Sequence, residues 1–393
     1  MQTISPPRYD AERLTGIGQS IFTVMTRLAV EYEAVNLGQG FPDFDGPAWV
    51  VDEFVAALRS GRNQYAPMSG VLALRKSVAG YQKRFYDLEW DADEEITITA
   101  GATEALFCAM LALLNPGDEV VLFEPYYDAH HADALLAGAS PVCVTLHKPG
   151  FCITADALDA AISERTRMIV LNNPHNPAGR VFGRDELNIV ADVVRERDLL
   201  LLSDEVYEFL TYDGRQHIPV ASLPDMRDRC ITVSSTGKTF GMTGWKVGYA
   251  IASAPLTTAL RKVHQFSTFA VNTPAQLAMA HALEKLEEYL PDFRAQYQQK
   301  RDMLRSGLDS SIITPHAVEG SYFMMGSIPK ELGMTDVELC MHILREHRVA
   351  LIPPSAFYAN NDEGMSMLRF CFAKREETIR EGLQRLSALS IPL

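Results

Sequence analysis

Short apolar runs rich in β-branched residues alternate with helical segments between about residue 95 and residue 252. The runs are, in chain order, EITIT, DEVVLFEP, RMIVLNN, LLLLS, CITVSS and VGYAIAS. Strands separated by helices are typical of a largely parallel sheet whose two faces are covered by helices. We therefore predict an α/β fold for this part of the chain.

The pattern changes after Pro274, where AQLAMAHALEKLEEYL and FRAQYQQKRDMLRSGL indicate helices. The strand-like GSYFMMGSI, a helix near 335–347 and MLRFCFAK then follow. Because 393 residues exceed the usual size of one domain, we predict a second, smaller α+β domain. The predicted parts are an arm with part of the small domain (1–38), a large domain (39–283) and a small domain (284–393).

The net charge, the spacing of the cysteines and the length of the apolar stretches exclude several classes of protein. A net charge of -14 repels nucleic acid backbones and anionic membranes, so we expect neither as a partner. The six cysteines lie far apart and lack CxxC spacing, which predicts reduced core thiols. No apolar stretch approaches a membrane span, and the first residues lack a secretory pattern. We expect a soluble cytoplasmic protein.

Ligands of open α/β sheets bind beyond the carboxyl ends of the strands, and polar residues follow several predicted strands here. After EITIT, the turn around Gly101 leads into an apolar helix whose free N–H groups suit a phosphate. Glu104 could equally support the start of that helix. Asn176 lies between two prolines that fix its direction, although an ordinary turn has the same composition. Asp204 ends a buried strand and needs either a cationic partner or a helix to cap.

The segment TGKTFGMTGWKVGY follows CITVSS and carries Lys238 and Lys246 among glycines and aromatic residues. A surface loop would explain the glycines but not the aromatic residues between two cations. The segment also lacks the first glycine of the GxxxxGK[ST] phosphate loop, which disfavours binding of nucleoside triphosphates.

The whole chain resembles the class I, fold-type I pyridoxal-phosphate aminotransferases, in the branch that acts on kynurenine and methionine. The motifs that carry the resemblance, in the order of the family, are NLGQGFPDFDGP, NQYAPMSGVLALR, TAGATEALF, PHNPAGRVF, SDEVYEFLTYDG, SSTGKTFGMTGWKVGY, VHQFSTFAVNTPAQ and LRFCFAK. The resemblance implies a mainly parallel seven-stranded sheet covered by helices in the large domain.

The resemblance implies pyridoxal 5'-phosphate as the cofactor, with Lys238 as both its Schiff-base residue and the base that moves the substrate proton. Asp204 is expected to pair with the pyridine nitrogen of the cofactor. Asn176 and Tyr207 are expected to donate hydrogen bonds to its 3'-oxygen, and Tyr127 is expected to stack on the ring. Pyridoxamine 5'-phosphate is the implied form between the two half-reactions.

For the cofactor phosphate, the resemblance implies the backbone N–H groups of Ala102 and Thr103, the hydroxyl of Ser235 and the cation of Lys246. Many relatives carry arginine at the position of Lys246, whose ammonium neutralises phosphate without a bidentate fork. Tyr65 is expected to reach the phosphate from a second subunit. The implied catalytic unit is a homodimer whose active sites are shared.

The implied substrate site is centred on Arg369, whose planar fork matches an α-carboxylate, with help from the backbone of Gly40 and from Asn176. Aromatic residues are expected around the substrate side chain, namely Phe22, Tyr65 and Phe269. Some kynurenine-active relatives carry Trp at the Phe22 position and His at the Ala270 position. These departures favour methionine over kynurenine as the donor.

The sequence thus predicts a ping-pong aminotransferase that moves the α-amino group of methionine, or of Phe, Tyr, Leu or kynurenine, to a 2-oxo acid. One alternative is a lyase that eliminates from cysteine S-conjugates or cystathionine through the same Schiff base, because both reactions begin with loss of the Cα proton. A remote alternative is an aminotransferase-like sensor, which would need a basic DNA-binding module.

Overall fold

The computed structural model describes residues 9–389, so the first eight residues of the predicted arm and the last four of the predicted small domain lie outside it. The strands are β1 (Val35–Asn36), β2 (Ile96–Ala100), β3 (Glu119–Glu124), β4 (Ser140–Thr145), β5 (Thr166–Asn172), β6 (Leu200–Asp204), β7 (Cys230–Ser235), β8 (Val247–Ile251), β9 (Thr314–Pro315), β10 (Phe323–Ser327), β11 (Val349–Ala350) and β12 (Met367–Cys371). The α-helices are α1 (Ile21–Glu31), α2 (Ala48–Arg59), α3 (Leu72–Tyr86), α4 (Gly101–Leu113), α5 (Asp128–Leu136), α6 (Ala155–Ala160), α7 (Arg184–Glu196), α8 (Thr236–Thr239), α9 (Ala254–Ser267), α10 (Thr273–Glu284), α11 (Leu286–Leu308), α12 (Asp336–His342) and α13 (Glu376–Leu386).

The central sheet has seven strands in the order β2-β8-β7-β6-β5-β3-β4. Neighbours pair in parallel from β4 across to β7, and β8 pairs antiparallel with both β7 and β2. The predicted α/β fold with a mainly parallel seven-stranded sheet is confirmed. All six apolar runs form strands of this sheet, and β4 is the strand that they did not include.

Helices cover both faces of this sheet, which explains why its central strands are continuously apolar. Alternate residues of a strand point to opposite faces. On β6, Leu202 joins a buried cluster with Leu106 of α4, whereas Leu201 joins the main core together with Val190 of α7. The sheet is therefore packed between α4 on one face and α7 on the other.

A second region lies after α10, where β9, β10 and β12 form an antiparallel sheet. The segment before Gly38 packs with this region, because β1 pairs in parallel with β11. Met25 of α1 also packs in one cluster with Leu344 and Phe357. α10 ends at Glu284 and α11 begins at Leu286, close to the predicted boundary at residue 284. That boundary stays a prediction.

All six cysteines are free thiols. Cys108, Cys230, Cys340 and Cys371 are buried and Cys143 is partly buried, whereas Cys152 is exposed and is not a core thiol. Among the described helices, none is long and apolar enough to cross a membrane.

Candidate active site

The topology brings one end of each of the seven strands to the same edge of the sheet. β2, β3, β4, β5, β6 and β7 point the same way, so their carboxyl ends meet at this edge. β8 runs in the opposite direction, so its amino end, which follows Lys246, also reaches the edge. Polar residues scattered over about 150 residues of sequence are thus collected in one place, as expected for an open α/β sheet.

A cavity of about 300 Å³ lies at this edge. Twelve of the residues predicted for the site line it: Phe22, Gly40, Ala102, Thr103, Tyr127, Asn176, Asp204, Tyr207, Ser235, Lys238, Lys246 and Arg369. The size and the mixture of aromatic and convergent polar groups suit a small-molecule site.

Tyr65 and Phe269 are the two predicted residues that the folded chain does not bring to this cavity. Their rings contact each other at 5.6 Å in a T-shaped arrangement on the surface. Tyr65 is 83% exposed and Phe269 is 45% exposed. Within one chain, neither side chain belongs to the wall of the cavity, because the segments that carry them lie on the outside of the molecule.

Lys238 lies on the short helix α8, directly after β7, and its side chain lines the cavity. Its Nζ lies 3.0 Å from the hydroxyl of Tyr322 and 3.5 Å from the carbonyl oxygen of Gly40. Burial lowers the pKa of Lys238 to about 8, because an ammonium is poorly solvated there. A substantial fraction of this amine is therefore neutral and nucleophilic near neutral pH.

Asp204 ends β6, and its side chain is buried. His130 Nε2 lies 3.0 Å from its Oδ2, and the N–H of Val206 donates to its Oδ1 at 3.3 Å. No helix begins after Asp204 in this part of the chain, so helix capping does not explain the carboxylate. His130 is itself buried on α5 and holds Asp204 in a fixed orientation.

Arg369, on β12, is fully buried beside the cavity. Its Nη1 donates to Asn176 Oδ1 at 3.1 Å, and its Nη2 donates to the carbonyl of Gly38 at 2.8 Å. The rings of Phe22 and Phe323 lie 4.9 and 4.2 Å from the guanidinium carbon. Burial lowers the pKa of Arg369 to about 10, which leaves it a cation at neutral pH. Within residues 9–389, its Nε has no hydrogen-bond partner, which is costly for a buried donor.

Two tyrosines of the wall remain neutral phenols. Burial raises the pKa of Tyr207 well above its ordinary value, and the nearby carboxylate of Asp204 adds to this effect. Burial likewise raises the pKa of Tyr127, whose ring packs edge-on against His130 at 5.5 Å. Both hydroxyls can therefore act as hydrogen-bond donors.

The start of α4 forms a second polar corner of the cavity. Gly101 has a φ of +73° there, and a Cβ on it would lie 3.3 Å from Lys246 Nζ. Glycine therefore leaves room for the Lys246 ammonium beside the free N–H groups of Ala102 and Thr103. Ser235 ends β7 next to them and also lines the cavity. Converging N–H groups, a hydroxyl and an ammonium are suited to a phosphate.

Glu104 supports this helix start from behind. Its carboxylate accepts a hydrogen bond from the N–H of Ala100 at 2.5 Å and lies 2.7 Å from His264 Nδ1. His264 Nε2 in turn donates to the carbonyl of Met68 at 2.8 Å. Glu104 is thus a structural residue of α4.

Sequence reasoning did not find several residues of the site. Gln39, Phe41, Thr243 and Phe323 also line the cavity, and His130 and Tyr322 touch predicted residues from outside it. Gly40 also has a packing role that the sequence did not predict, because a Cβ on it would lie 2.7 Å from the Phe323 ring. Its missing side chain accommodates Phe323.

The family described as aminotransferase class I and II matches residues 32–386. Methionine aminotransferase from Escherichia coli (strain K12) is 42% identical over 98% of this chain and 99% of that protein. A kynurenine-oxoglutarate transaminase from Dictyostelium discoideum is 35% identical over 96% of each chain. The structure of N-succinyldiaminopimelate aminotransferase from Mycobacterium tuberculosis is similar with a TM-score of 0.94, at 38% identity over 97% of this chain and 100% of that one.

Proposed function

Because the chain belongs to the class I and II aminotransferase family and is a transaminase, we propose that it holds pyridoxal 5'-phosphate on Lys238. We propose as its reaction the transfer of the α-amino group of methionine, or of another apolar or aromatic amino acid, to a 2-oxo acid. The observation that carries the proposal is that Lys238, Asp204 and Arg369 line one cavity, with the side chains of Asp204 and Arg369 buried.

The residues of the cavity fit this cofactor and an amino acid together. The wall carries three cations, Lys238, Lys246 and Arg369, against one carboxylate, Asp204, in a chain of net charge -14. This local excess suits a phosphate and a substrate carboxylate, and the unpaired Nε of Arg369 needs an acceptor. When bound, the cofactor supplies a ring that withdraws electrons from the substrate Cα.

Lys238 attaches the cofactor and moves the substrate proton. The amine is neutral often enough to act as a nucleophile, because its pKa is near 8. Once displaced by an incoming amino acid, the same amine would take the proton from the substrate Cα and deliver it to the C4' carbon of the cofactor. The crowded surroundings keep the amine close to the reacting carbon.

Asp204 would hold the protonated pyridine nitrogen, and His130 fixes the carboxylate in place. Asn176 and Tyr207 would donate hydrogen bonds to the 3'-oxygen, and Tyr127 would cover one face of the ring. Asn176 has its amide oxygen engaged by Arg369, which leaves its NH₂ group to donate.

Asp204→Asn is expected to weaken cofactor retention and to lower kcat by roughly 10²-fold or more, because the amide removes the negative charge beside the ring nitrogen. Equilibrium dialysis and single-turnover kinetics measure the two effects. The control is Asp133→Asn, which replaces another buried carboxylate, on α5, outside the cavity wall. Equal cofactor affinity and kcat in both variants would exclude the role of Asp204.

The α-carboxylate of the substrate binds Arg369. The side chain of the substrate lies among Phe22, Phe41 and Phe323. These aromatic rings favour apolar and aromatic side chains, because burying a charged side chain among them is costly. The names of the relatives point to methionine, kynurenine and N-succinyldiaminopimelate. The aromatic wall disfavours the charged succinylated donor, and Phe22, where some kynurenine-active relatives carry Trp, favours methionine over kynurenine.

The test of the substrate class is a panel of about twenty amino acids and N-succinyldiaminopimelate against several 2-oxo acids. We expect kcat/KM for methionine, Phe, Tyr and Leu to exceed that for aspartate by roughly 100-fold or more. Among the apolar donors themselves, we expect differences within about 10- to 200-fold. A preference for aspartate or for the succinylated donor would overturn the proposed substrate class. Pyruvate and ammonia as the main products from a cysteine S-conjugate would make elimination the primary activity.

A second copy of the chain completes the site. Tyr65, Phe266 and Phe269 are large and exposed although they belong to motifs of the family, and exposed aromatic groups are typical of interfaces. In the proposed homodimer, Tyr65 reaches the cofactor phosphate of the other subunit and Phe269 borders the substrate there. We also propose that the enzyme is soluble and located in the cytoplasm.

Tyr65→Phe is expected to raise the dissociation constant for pyridoxal 5'-phosphate about ten-fold, because one hydrogen bond to a charged group is lost. The mass in solution should stay at about twice the chain mass of 43.6 kDa. Fluorescence titration of the apoenzyme and light scattering measure these quantities. A fully active monomer, or an unchanged dissociation constant, would contradict the shared site.

A further inference from the structure

Tyr322 lies behind Lys238, between Ser321 and the start of β10, and it is not among the residues that line the cavity. Its side chain is 1% exposed. The ring packs edge-on against Tyr207, with centroids 5.0 Å apart, and against Phe323 at 4.8 Å. These contacts hold the ring in place, so its hydroxyl has a fixed position.

The direction of the two hydrogen bonds of Tyr322 follows from the partners. Its Oη lies 2.6 Å from the carbonyl oxygen of Gly40, and a carbonyl can only accept, so the phenol donates its single proton there. Its Oη also lies 3.0 Å from Lys238 Nζ. In this second contact the phenol oxygen must accept, and the lysine must donate an N–H. Burial raises the pKa of Tyr322 well above its ordinary value, which keeps the phenol protonated.

The acceptors of Lys238 therefore lie on one side of its amine. Among the described residues, Tyr322 Oη and the carbonyl of Gly40 are the hydrogen-bond partners of Nζ. Two N–H bonds of the neutral amine are thereby directed at these two acceptors, which lie 2.6 Å apart. Its lone pair, which must take the substrate proton, is left on the other side of the nitrogen.

We propose that Tyr322 is a positioning residue that holds the free amine of Lys238 in the orientation from which it attacks the cofactor and takes up the substrate proton. This inference rests on the proposed role of Lys238. Tyr322 would then have a function in the reaction although its side chain does not line the cavity.

Other groups around Lys238 set its charge without orienting it by hydrogen bonds. Asp204 on β6 favours the ammonium, whereas Lys246 before β8 and Arg369 on β12 oppose it, and the thiol of Cys371 also lies near. These groups keep their charges when Tyr322 loses its hydroxyl, and the Tyr207 phenol, which also interacts with that hydroxyl, stays neutral because burial raises its pKa. A shift in the titration of Lys238 can then be assigned to the lost hydrogen bond.

The experiment compares Tyr322→Phe with Tyr297→Phe in the apoenzyme. Tyr297 is also buried in the same group of rings, 6.2 Å from the Tyr322 ring, and its hydroxyl has no hydrogen-bond partner in the part of the chain that the structure describes. The rate at which added pyridoxal 5'-phosphate attaches to Lys238 is followed by absorbance from pH 6 to about pH 10. Because only the neutral amine attacks, the rate rises with pH through the pKa of the free lysine.

In the parent protein and in Tyr297→Phe, we expect the midpoint of this rise near pH 8. In Tyr322→Phe, we expect it about one unit lower, because the lost acceptor stabilised the ammonium more than the amine. The plateau rate should also fall about ten-fold, because the amine loses its orientation. Tyr322→Leu, which also lacks the acceptor, replaces Tyr322→Phe if that variant does not fold.

An unchanged midpoint and plateau without the Tyr322 hydroxyl would overturn the inference, as would an equal change in Tyr297→Phe. In that case the parent protein would still attach the cofactor, and the proposed function would stand. Failure of the parent protein to attach the cofactor at any pH would instead refute the proposed function, and the role of Tyr322 with it.

Discussion

Replacing Lys238 with alanine is expected to remove the absorbance of the lysine-bound cofactor near the violet edge of the visible range. Transamination should fall by about 10⁴-fold or more, because one substitution removes both the attachment point and the proton carrier. The groups proposed to hold the cofactor ring and phosphate, among them Asp204 and Lys246, remain, so the variant should still bind the cofactor without a covalent bond. Absorbance spectra and single-turnover kinetics with methionine measure the two losses.

The matched control is Lys300→Ala. Lys300 is also largely buried, and burial also lowers its pKa, but its ammonium lies over the ring of Phe44, 3.8 Å from the centroid, and not in the cavity. We expect this control to keep the spectrum and the activity of the parent. Persistence of both the absorbance and the activity in Lys238→Ala would remove the basis of the proposed mechanism.

Arg369→Lys is expected to lower kcat/KM for amino acids by about 10² to 10³-fold, mainly through KM. The ammonium keeps the charge but loses the fork that can hold a planar carboxylate and Asn176 at the same time. The decisive readout is the preference for an amino acid over the amine that lacks its carboxylate. This preference should be large in the parent and nearly absent in the variant.

Arg301→Lys is the control for the loss of a buried guanidinium. Arg301 is 6% exposed and donates to Asp213 and to the carbonyl of Val318, outside the cavity wall. The Arg301→Lys substitution should lower the free energy of unfolding but leave the preference for amino acids over their decarboxylated amines nearly unchanged. Equal kcat/KM for amino acids and their decarboxylated amines in the parent would exclude the role assigned to Arg369.

The sequence was sufficient for the fold because the strands that matter most are continuously apolar. β5 and β6 are buried along nearly their whole length, so their composition alone distinguishes them. β4 was missed because it begins with Ser140 and Pro141, lies at the edge of the sheet and is only partly buried. An edge strand has one neighbour and one exposed side, which leaves a weaker pattern.

The strand-end rule found the residues that are local to a strand, such as Asp204 and Lys238. It could not find partners that arrive from elsewhere. His130 lies 74 residues before Asp204 along the chain, and Tyr322 lies 84 residues after Lys238. Such contacts depend on how α5 and β10 pack against the sheet, which the local pattern of apolar residues does not specify.

The aromatic groups of the substrate pocket were the hardest to place. Phe22 reaches the cavity from α1, far from the sheet in sequence, and the resemblance rather than periodicity pointed to it. Phe323 was missed because it had been assigned only to a strand, although a missing side chain at Gly40 makes room for it. Tyr65 and Phe269 lie on the surface of the chain, so their place in the pocket rests on the proposed homodimer.

The most direct test is to reduce the purified holoenzyme with borohydride, digest it and locate the modified lysine by peptide mass spectrometry. Borohydride converts a Schiff base between a lysine and pyridoxal 5'-phosphate into a stable bond. The proposed function predicts that the added pyridoxyl phosphate mass is found on the peptide that contains Lys238, and that incubation with methionine before reduction removes it. Modification of another lysine, or no modification in a protein that is active, would contradict it.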